Sequence, residues 1–352
     1  MTLIKYVVIR ILLMIPTLFG VISITFLIIQ FVPGGPVEHY LAMQKLNATG
    51  EVSTALTSKN KVIEYQTISE EQVEAIKKIY GFDQPLLTRY AATVKNLILF
   101  DFGVSYYQQG SVASVILTKL PVSISLGVWT FLLTYLFAIP LGISKAIRAG
   151  SVFDNASTTL LLIMYSVPGF ILAIALIALF GGGGALPLFP LRGITSDNWE
   201  ELTMIGKLLD YLWHIFLPIV CLSLSGFAFI SLLTKNSILD EVEKQYVLIA
   251  RAKGLTESKV FYRHLLPNAS IPILTGFPTQ FLFAFFSGNL LIEIIFSLDG
   301  LGLLGYEAAI NRDYPILLAL IFLFSIVALV GKLITDILYI IVDPRINFNS
   351  HK

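Results

Sequence analysis

Apolar and polar stretches alternate along this chain on the scale of a lipid bilayer. A helix that crosses a membrane needs about 20 mostly apolar residues, and six stretches meet that length. They cover approximately residues 9–31, 121–144, 157–180, 213–234, 270–296 and 315–341. The pattern therefore predicts an all-α membrane protein with six transmembrane helices.

The first apolar run could be mistaken for a secretory signal, because Lys5 and Arg10 precede it. Its apolar part, Ile11–Val32, is longer than the 7–15 residues of a signal's hydrophobic region. The Pro33–Pro36 stretch that follows is not a small-x-small cleavage site. We interpret residues 1–32 as a retained first transmembrane helix.

Basic residues fall on one side of the six-helix arrangement. Positively charged short loops stay in the cytoplasm. The basic residues near the ends of the predicted helices are Lys5, Arg10, Lys145, Arg148, Lys235, Lys244, Arg251, Lys253, Lys259, Arg263 and Arg345. The opposite short loop, Asp299–Tyr314, carries three acidic residues and one arginine. Both termini are therefore predicted to be cytoplasmic.

Residues 33–120 form a long polar segment between the first two helices, predicted to be extracytoplasmic. Met43–Thr67 lacks apolar periodicity and is expected to be an irregular insertion. Ser69 and Gln72 form a capping box, and a second amphipathic helix is predicted over Leu86–Phe100. The alternative is a solvated linker with transient helix.

Composition narrows the class of protein. The 352 residues are 56% hydrophobic and only 13% charged, whereas soluble domains carry about 25% charged residues. The net charge of +1 gives no reason to expect a nucleic-acid partner. The single cysteine, Cys221, excludes an internal disulfide and is expected to be a packing residue.

Chemical motifs are missing from the sequence. It has no G-x-x-x-x-G-K-[ST] phosphate loop, no H-E-x-x-H metal motif and no G-x-S-x-G nucleophile motif. The histidines are scattered, at positions 39, 214, 264 and 351. We expect no bound cofactor or metal, and an enzyme is disfavoured.

The polar loop 235–267, between the fourth and fifth helices, combines helix signals with basic residues. Asp240 and Lys244 are spaced as an i,i+4 ion pair, and Tyr246–Lys253 is predicted to be a helix that ends at Gly254. Thr256 is predicted to cap a second helix, which runs into Pro267. Leu255, before this cap, and Val260, within the helix, could form a hydrophobic staple. The alternative is a basic loop with frayed helical ends.

Three ionisable residues lie in apolar runs, where charge usually has a function. Glu293, with Asn289 nearby, is a candidate for the translocation path; the alternative is that Glu293 ties down the outer loop. Lys332 and Asp336 are one turn apart and are expected to form a structural pair, or Lys332 to reach the interface. The glycine-rich stretch 299–305 is expected to be a compact or re-entrant turn.

These features resemble the dipeptide/oligopeptide branch of binding-protein-dependent ABC-importer permeases, most of all the permeases of microcin C-type (peptide–nucleotide) importers. The similar stretches are Leu120–Leu133, Asp210–Ile219, Leu233–Leu255, Gly288–Pro315 and Val342–Ile346. The loop 235–267 resembles the "EAA loop" of such permeases. The glutamate that names this loop elsewhere would fall at Leu248, and the peptide branch typically carries Ala-Arg-Ala-Lys-Gly in this region.

The resemblance implies a bacterial inner-membrane pore subunit for short peptides or peptide-like compounds. The implied partners are a homologous second permease, ABC ATPase subunits that carry ATP and Mg²⁺, and an extracytoplasmic substrate-binding protein. The implied docking helix contains Tyr246, Ala250, Arg251, Ala252, Lys253 and Gly254, with Pro267 closing the loop. The predicted core spans 121–345, followed by a cytoplasmic tail, 346–352. The alternative function is a stand-alone channel or secondary transporter.

Overall fold

The computed structural model of the chain describes residues 3–31, 74, 84–105, 107–286 and 289–342. The helices are α1 (Leu3–Phe31), α2 (Leu86–Ile98), α3 (Val112–Ile147), α4 (Val152–Ser166), α5 (Gly169–Phe180), α6 (Met204–Val242), α7 (Gln245–Ala252), α8 (Glu257–Lys259), α9 (Leu266–Ala269), α10 (Ile271–Phe286), α11 (Leu290–Ile295), α12 (Leu301–Ile310) and α13 (Tyr314–Val342). A 3₁₀ turn covers Trp199–Glu201, a π-helix covers Val260–Leu265, and β1 (Val104–Ser105) pairs antiparallel with β2 (Gly110–Ser111).

Four helices in the described part of the chain are long and apolar enough to cross a membrane: α1, α3, α6 and α13. They correspond to four of the six predicted helices. The pair α4 and α5 would be a fifth if it is one span. With 39 residues, α6 is about 58 Å long, so it extends well beyond a hydrocarbon core of about 30 Å.

The predicted helix 157–180 is broken. α4 and α5 meet at an angle of 94° at Val167 and Pro168. Val167 is extended (φ −87°, ψ 118°) because the ring of the following proline disfavours the helical conformation. The prolines at 16, 121, 140, 218 and 278 are accommodated inside α1, α3, α6 and α10.

The predicted helix 270–296 is represented by the 16-residue α10 and the six-residue α11. The side chain of Asn289 begins α11 by accepting a hydrogen bond from the N–H of Ile292 (3.4 Å). Neither described helix alone spans a bilayer, so the count of six spans stays a prediction.

The chain divides into two compact units. The first contains residues 1–11, 120–303 and 327–352. Its largest core cluster includes Ala173, Ile215, Leu217, Cys221 and Ile292. Cys221 is 2% exposed within this cluster, which confirms its prediction as a packing residue. α5 ends at Phe180, where Gly181–Gly184 begins.

The second unit contains residues 12–119 and 304–326. Ile22, Leu97 and Phe322 form its buried cluster. The amphipathic helix predicted over Leu86–Phe100 is confirmed as α2. The Asp313 carboxylate accepts a hydrogen bond from Ser105, and burial raises the pKa of this carboxyl above its ordinary value. The predicted insertion at 43–67, the capping box at Ser69 and the tail 346–352 lie outside the described residues.

Two smaller predictions were wrong. Asp336 forms its ion pair with Arg10 (3.1 Å) rather than with Lys332, because the ends of α1 and α13 come together in the first unit. The stretch 299–305 is not a compact turn, since α12 begins at Leu301 within it, and the re-entrant alternative stays a prediction.

Candidate functional site

The loop between α6 and α10 folds into a helical hairpin. It consists of α7, a turn at Gly254 and α8, and we call residues 245–259 the hairpin. Gly254 has φ +78°, in the left-handed region that glycine enters without steric cost. The predicted helix and its glycine stop are confirmed within one or two residues.

The inner side of the hairpin is a small apolar cluster. Val247, Ala250 and Val260 are buried together, and Tyr246 and Leu255 pack against them. The predicted proximity of Leu255 and Val260 is confirmed. Ala250 is only 7% exposed, so it packs inside the hairpin and is not on its outer surface.

An ion pair closes the hairpin across the glycine turn. The Arg251 guanidinium donates two hydrogen bonds to the Glu257 carboxylate, at 3.0 and 3.1 Å. Both side chains remain exposed (39% and 73%). The charge of Arg251 is therefore paired within the hairpin.

The connection from α6 to the hairpin is held by Glu241. This carboxylate binds Lys244 and accepts a hydrogen bond from the Tyr246 hydroxyl (2.5 Å). The predicted Asp240–Lys244 pair is replaced by Glu241–Lys244, because α6 ends at Val242 and Lys244 is extended. The i,i+4 geometry of a continuous helix is therefore absent here.

The outer face of α7 carries two adjacent exposed aliphatic residues. Leu248 and Ile249 are 53% and 54% exposed, and Ala252 and Lys253 are exposed beside them. Exposed aliphatic pairs on a short polar loop are typical of a surface that another protein covers. Here Leu248 occupies the position at which the resemblance places a glutamate in other permeases.

The second half of the loop returns to the helix bundle without a break. Thr256 stands at the start of α8 but makes no capping hydrogen bond with its side chain, contrary to the sequence interpretation. The π-helix carries Tyr262, which is 64% exposed. Pro267 lies in the first turn of α9, where its missing N–H costs no helical hydrogen bond.

A buried charge cluster, formed by Lys145, Asp154 and Lys235, was missed by sequence reasoning. Asp154 receives Lys235 at 2.7 Å and Lys145 at 3.4 Å, and Lys145 and Asp154 are 0% and 2% exposed. Lys145 also donates to the hydroxyls of Ser157 (2.9 Å) and Thr158 (2.6 Å). The cluster ties the end of α3 and the start of α4 to α6, seven residues before α6 ends.

Local signals for half of this cluster were present in the sequence. Ser151 and Asp154 have the spacing of a capping box, and the Ser151 side chain does accept from the Asp154 N–H. Asp154 also accepts from the N–H of Gly150 (3.0 Å), whose φ is +77°. Its partner Lys235 is 81 residues away, so the pair itself had no local signal.

Glu293 is fully buried and binds the start of α12. Its carboxylate accepts from the N–H groups of Leu303 (2.7 Å) and Gly302 (3.4 Å), while the Ser123 hydroxyl accepts from Leu301 (2.8 Å). A helix N-terminus favours negative charge. These contacts are those of the alternative in which Glu293 ties down the loop, and its place in a translocation path stays a prediction.

Comparison with known proteins gives a consistent result. Residues 138–348 match the family described as "Binding-protein-dependent transport system inner membrane component". The chain is 47% identical to the "Peptidoglycan transport system permease protein YejB" of Agrobacterium fabrum, covering 97% of this chain and 98% of that one. It is 44% identical to the "Inner membrane ABC transporter permease protein YejB" of Escherichia coli O157:H7, covering 98% and 99%.

More distant relatives extend the comparison. The "Oligopeptide transport system permease protein AppB" of Bacillus subtilis is 30% identical over 97% of this chain and 99% of its own length. Among solved structures, the MetNI methionine ABC transporter in an inward-facing conformation matches with a TM-score of 0.46 and 16% identity, covering 66% of this chain and 97% of that one.

Proposed function

The chain belongs to the family of binding-protein-dependent transport system inner membrane components and is the permease component of an ABC importer for peptides. We propose that a separate ABC ATPase docks on its hairpin, residues 245–259. The observation that carries this proposal is the outer face of α7. Leu248 and Ile249 are exposed there although the inner face of the same short helix is packed.

The hairpin is suited to transmit force, because its contacts hold it together and connect it to α6. Its inner cluster and the Arg251–Glu257 pair hold α7 against α8 and the start of the π-helix, and the Glu241–Tyr246 hydrogen bond joins α7 to the end of α6. A force applied to Leu248 and Ile249 would therefore move α7 as a unit with α6. ATP-driven closure of two ATPase subunits would then switch the bundle between outward and inward access.

The remaining parts of the importer are proposed from the family. ATP and Mg²⁺ would bind on the ATPase subunits. A homologous second permease would complete the pore, and an extracytoplasmic binding protein would deliver the peptide. The chain would cross the membrane six times, with both termini and the hairpin in the cytoplasm and residues 33–120 outside.

The cargo is proposed to be short peptides, including peptide-containing fragments of peptidoglycan, after the names of the relatives reported above. Microcin C-type peptide–nucleotides stay a prediction, since none of those relatives is named for them. The alternative, a stand-alone channel or secondary transporter, would have no use for a hairpin with an exposed aliphatic face.

Site-directed cross-linking tests the docking surface. We expect Leu248→Cys, in the chain with Cys221→Ala, to cross-link to the ATPase in the assembled importer. The control is Leu87→Cys on α2, which is 79% exposed and lies in the segment predicted to be outside the cell. That variant should not cross-link to the ATPase.

Uptake measurements in membrane vesicles test the function itself. Peptide uptake should require the ATPase, the second permease, the binding protein and ATP.

The two experiments have separate contradicting outcomes. Cross-linking of the ATPase to Leu87→Cys but not to Leu248→Cys would overturn the docking surface. Uptake by this chain alone, driven by an ion gradient, would overturn the importer.

A further inference from the structure

A cleft of about 430 Å³ lies within the first unit, between α3, α6 and α10. Thr130 and Thr134 line it from α3, Gly226 lines it from α6, and Gln280 lines it from α10. Asn289, at the start of α11, also contributes to its wall. The cleft therefore brings together hydroxyl groups from α3 and the side-chain amides of Gln280 and Asn289 in a strongly apolar part of the chain.

The polar lining of the cleft is neutral. Among the described residues that line it, none is Asp, Glu, Lys, Arg or His. Threonine hydroxyls and the glutamine and asparagine amides can both donate and accept hydrogen bonds. The Thr130 hydroxyl oxygen is buried and has no hydrogen-bond partner in the described structure. A buried polar atom without a partner is costly, so this hydroxyl gains a hydrogen bond if the Thr130 side chain turns toward a ligand in the cleft.

Aromatic side chains form another part of the wall. Phe131 and Tyr135 line the cleft and pack edge to face on Phe277, at 4.8 and 5.4 Å between ring centroids. Phe281 adds a second edge-to-face contact with Phe131, at 5.3 Å. Such a wall provides contact area for side chains of many shapes, because it makes no directional demands.

Two glycines shape the cleft. A Cβ at Gly127 would overlap the backbone of Ala284, so only glycine permits this close approach of α3 and α10. A Cβ at Gly226 would lie 3.4 Å from the methyl group of Thr134, at the short end of the range for van der Waals contact. A longer side chain at Gly226 would therefore fill space in the cleft.

We propose that this cleft binds the backbone of the peptide as it passes through the permease. The proposal rests on the proposed function, because it names the site that the imported peptide occupies. Peptide N–H and C=O groups match neutral hydroxyl and amide partners, and they are the same whatever side chains the peptide carries. A lipid chain would leave the Thr130 hydroxyl unpaired, and an anionic headgroup would find no cation in the lining.

Filling the cleft is the first test. Gly226→Leu should abolish uptake of trialanine by the complete importer, with the ATPase still recovered on co-purification as a check that the chain folds and assembles. The control is Gly20→Leu in α1, where an added Cβ meets nothing within 4 Å. This variant adds the same side chain to another apolar helix and should transport normally.

A second test removes hydrogen-bonding groups without changing shape. Thr130→Val with Thr134→Val should lower uptake of trialanine about fivefold or more, the effect of losing one or two neutral hydrogen bonds. An analogue with one amide replaced by an ester lacks one N–H. The wild-type importer should prefer trialanine to this analogue, and the double variant should lose part of that preference.

The outcomes separate the two proposals. Any preference of the binding protein affects the wild-type importer and the double variant equally. A change in the ratio of trialanine uptake to ester-analogue uptake therefore arises in the permease. An unchanged ratio in the double variant, or normal uptake by a folded Gly226→Leu chain, overturns the cleft as a peptide site. Failure of the wild-type importer to take up any peptide overturns the proposed function instead.

Discussion

Two groups of charged residues lie in or near the loop 235–267 and differ in their exposure to solvent. The buried charge cluster of Lys145, Asp154 and Lys235 is almost closed to solvent, whereas the Arg251–Glu257 pair of the hairpin is open to it. Both include a carboxylate that receives more than one N–H donor. The difference indicates that the buried charge cluster stabilises the packing of α3, α4 and α6. The exposed pair influences only the position of the hairpin surface.

The physical reason is solvation. A charge at 0% exposure, such as Lys145, has lost its water and depends on the carboxylate and hydroxyls around it. Removing one partner leaves that charge buried and uncompensated. When an exposed pair breaks, water solvates both charges at little cost. The pair therefore contributes at most about 1 kcal/mol to the free energy of unfolding.

The largest effect is therefore expected at Asp154. Asp154→Asn leaves Lys145 buried without a counter-charge and should lower the free energy of unfolding by about 3 kcal/mol, the lower end of measured values for broken buried pairs. The lower end applies because Lys145 keeps its two hydroxyl partners. Thermal denaturation of the purified importer in detergent measures the effect.

A matched double variant tests the reason for that loss. Lys145→Met with Asp154→Asn removes the buried cation together with its counter-charge, so most of the lost stability should return. If the double variant is as unstable as Asp154→Asn alone, the buried charge is not the cause, and the contrast with the exposed pair is lost.

An intermediate effect is expected at Gly254. Its φ of +78° costs a residue with a Cβ about 1–2 kcal/mol, and more if the side chain is β-branched. An added Cβ would meet nothing within 4 Å, so any effect comes from the backbone alone. Gly254→Val should insert normally but recover less ATPase on co-purification.

Gly254→Asn is the control for this experiment, because asparagine enters the left-handed region more readily than valine. It should retain most of the ATPase. Equal recovery of ATPase by wild type, Gly254→Asn and Gly254→Val would contradict a role of the turn in docking.

Features with a local signal could be predicted from the sequence, and features made by distant residues could not. The hairpin followed from a helix pattern and one glycine within ten residues, and α2 followed from its amphipathic period. The Asp154–Lys235 pair joins residues 81 positions apart, and the cleft joins three helices. Apolar length predicted a straight helix over 157–180 because it counts residues and does not register the bend at Val167.

The smallest effect is expected at the exposed pair, and it sharpens the comparison most. Glu257→Gln should change the free energy of unfolding by less than about 1 kcal/mol.

The effect of Glu257→Gln on ATPase recovery depends on whether Arg251 stabilises the hairpin or contacts the ATPase. Because the two side chains face each other across the turn, the exchanged pair Arg251→Glu with Glu257→Arg can restore the internal contact. We expect the exchanged pair to recover the ATPase as well as wild type does. Recovery below that of Glu257→Gln alone would mean that the ATPase contacts the charge of Arg251 directly, and the hairpin pair would then be part of the interface.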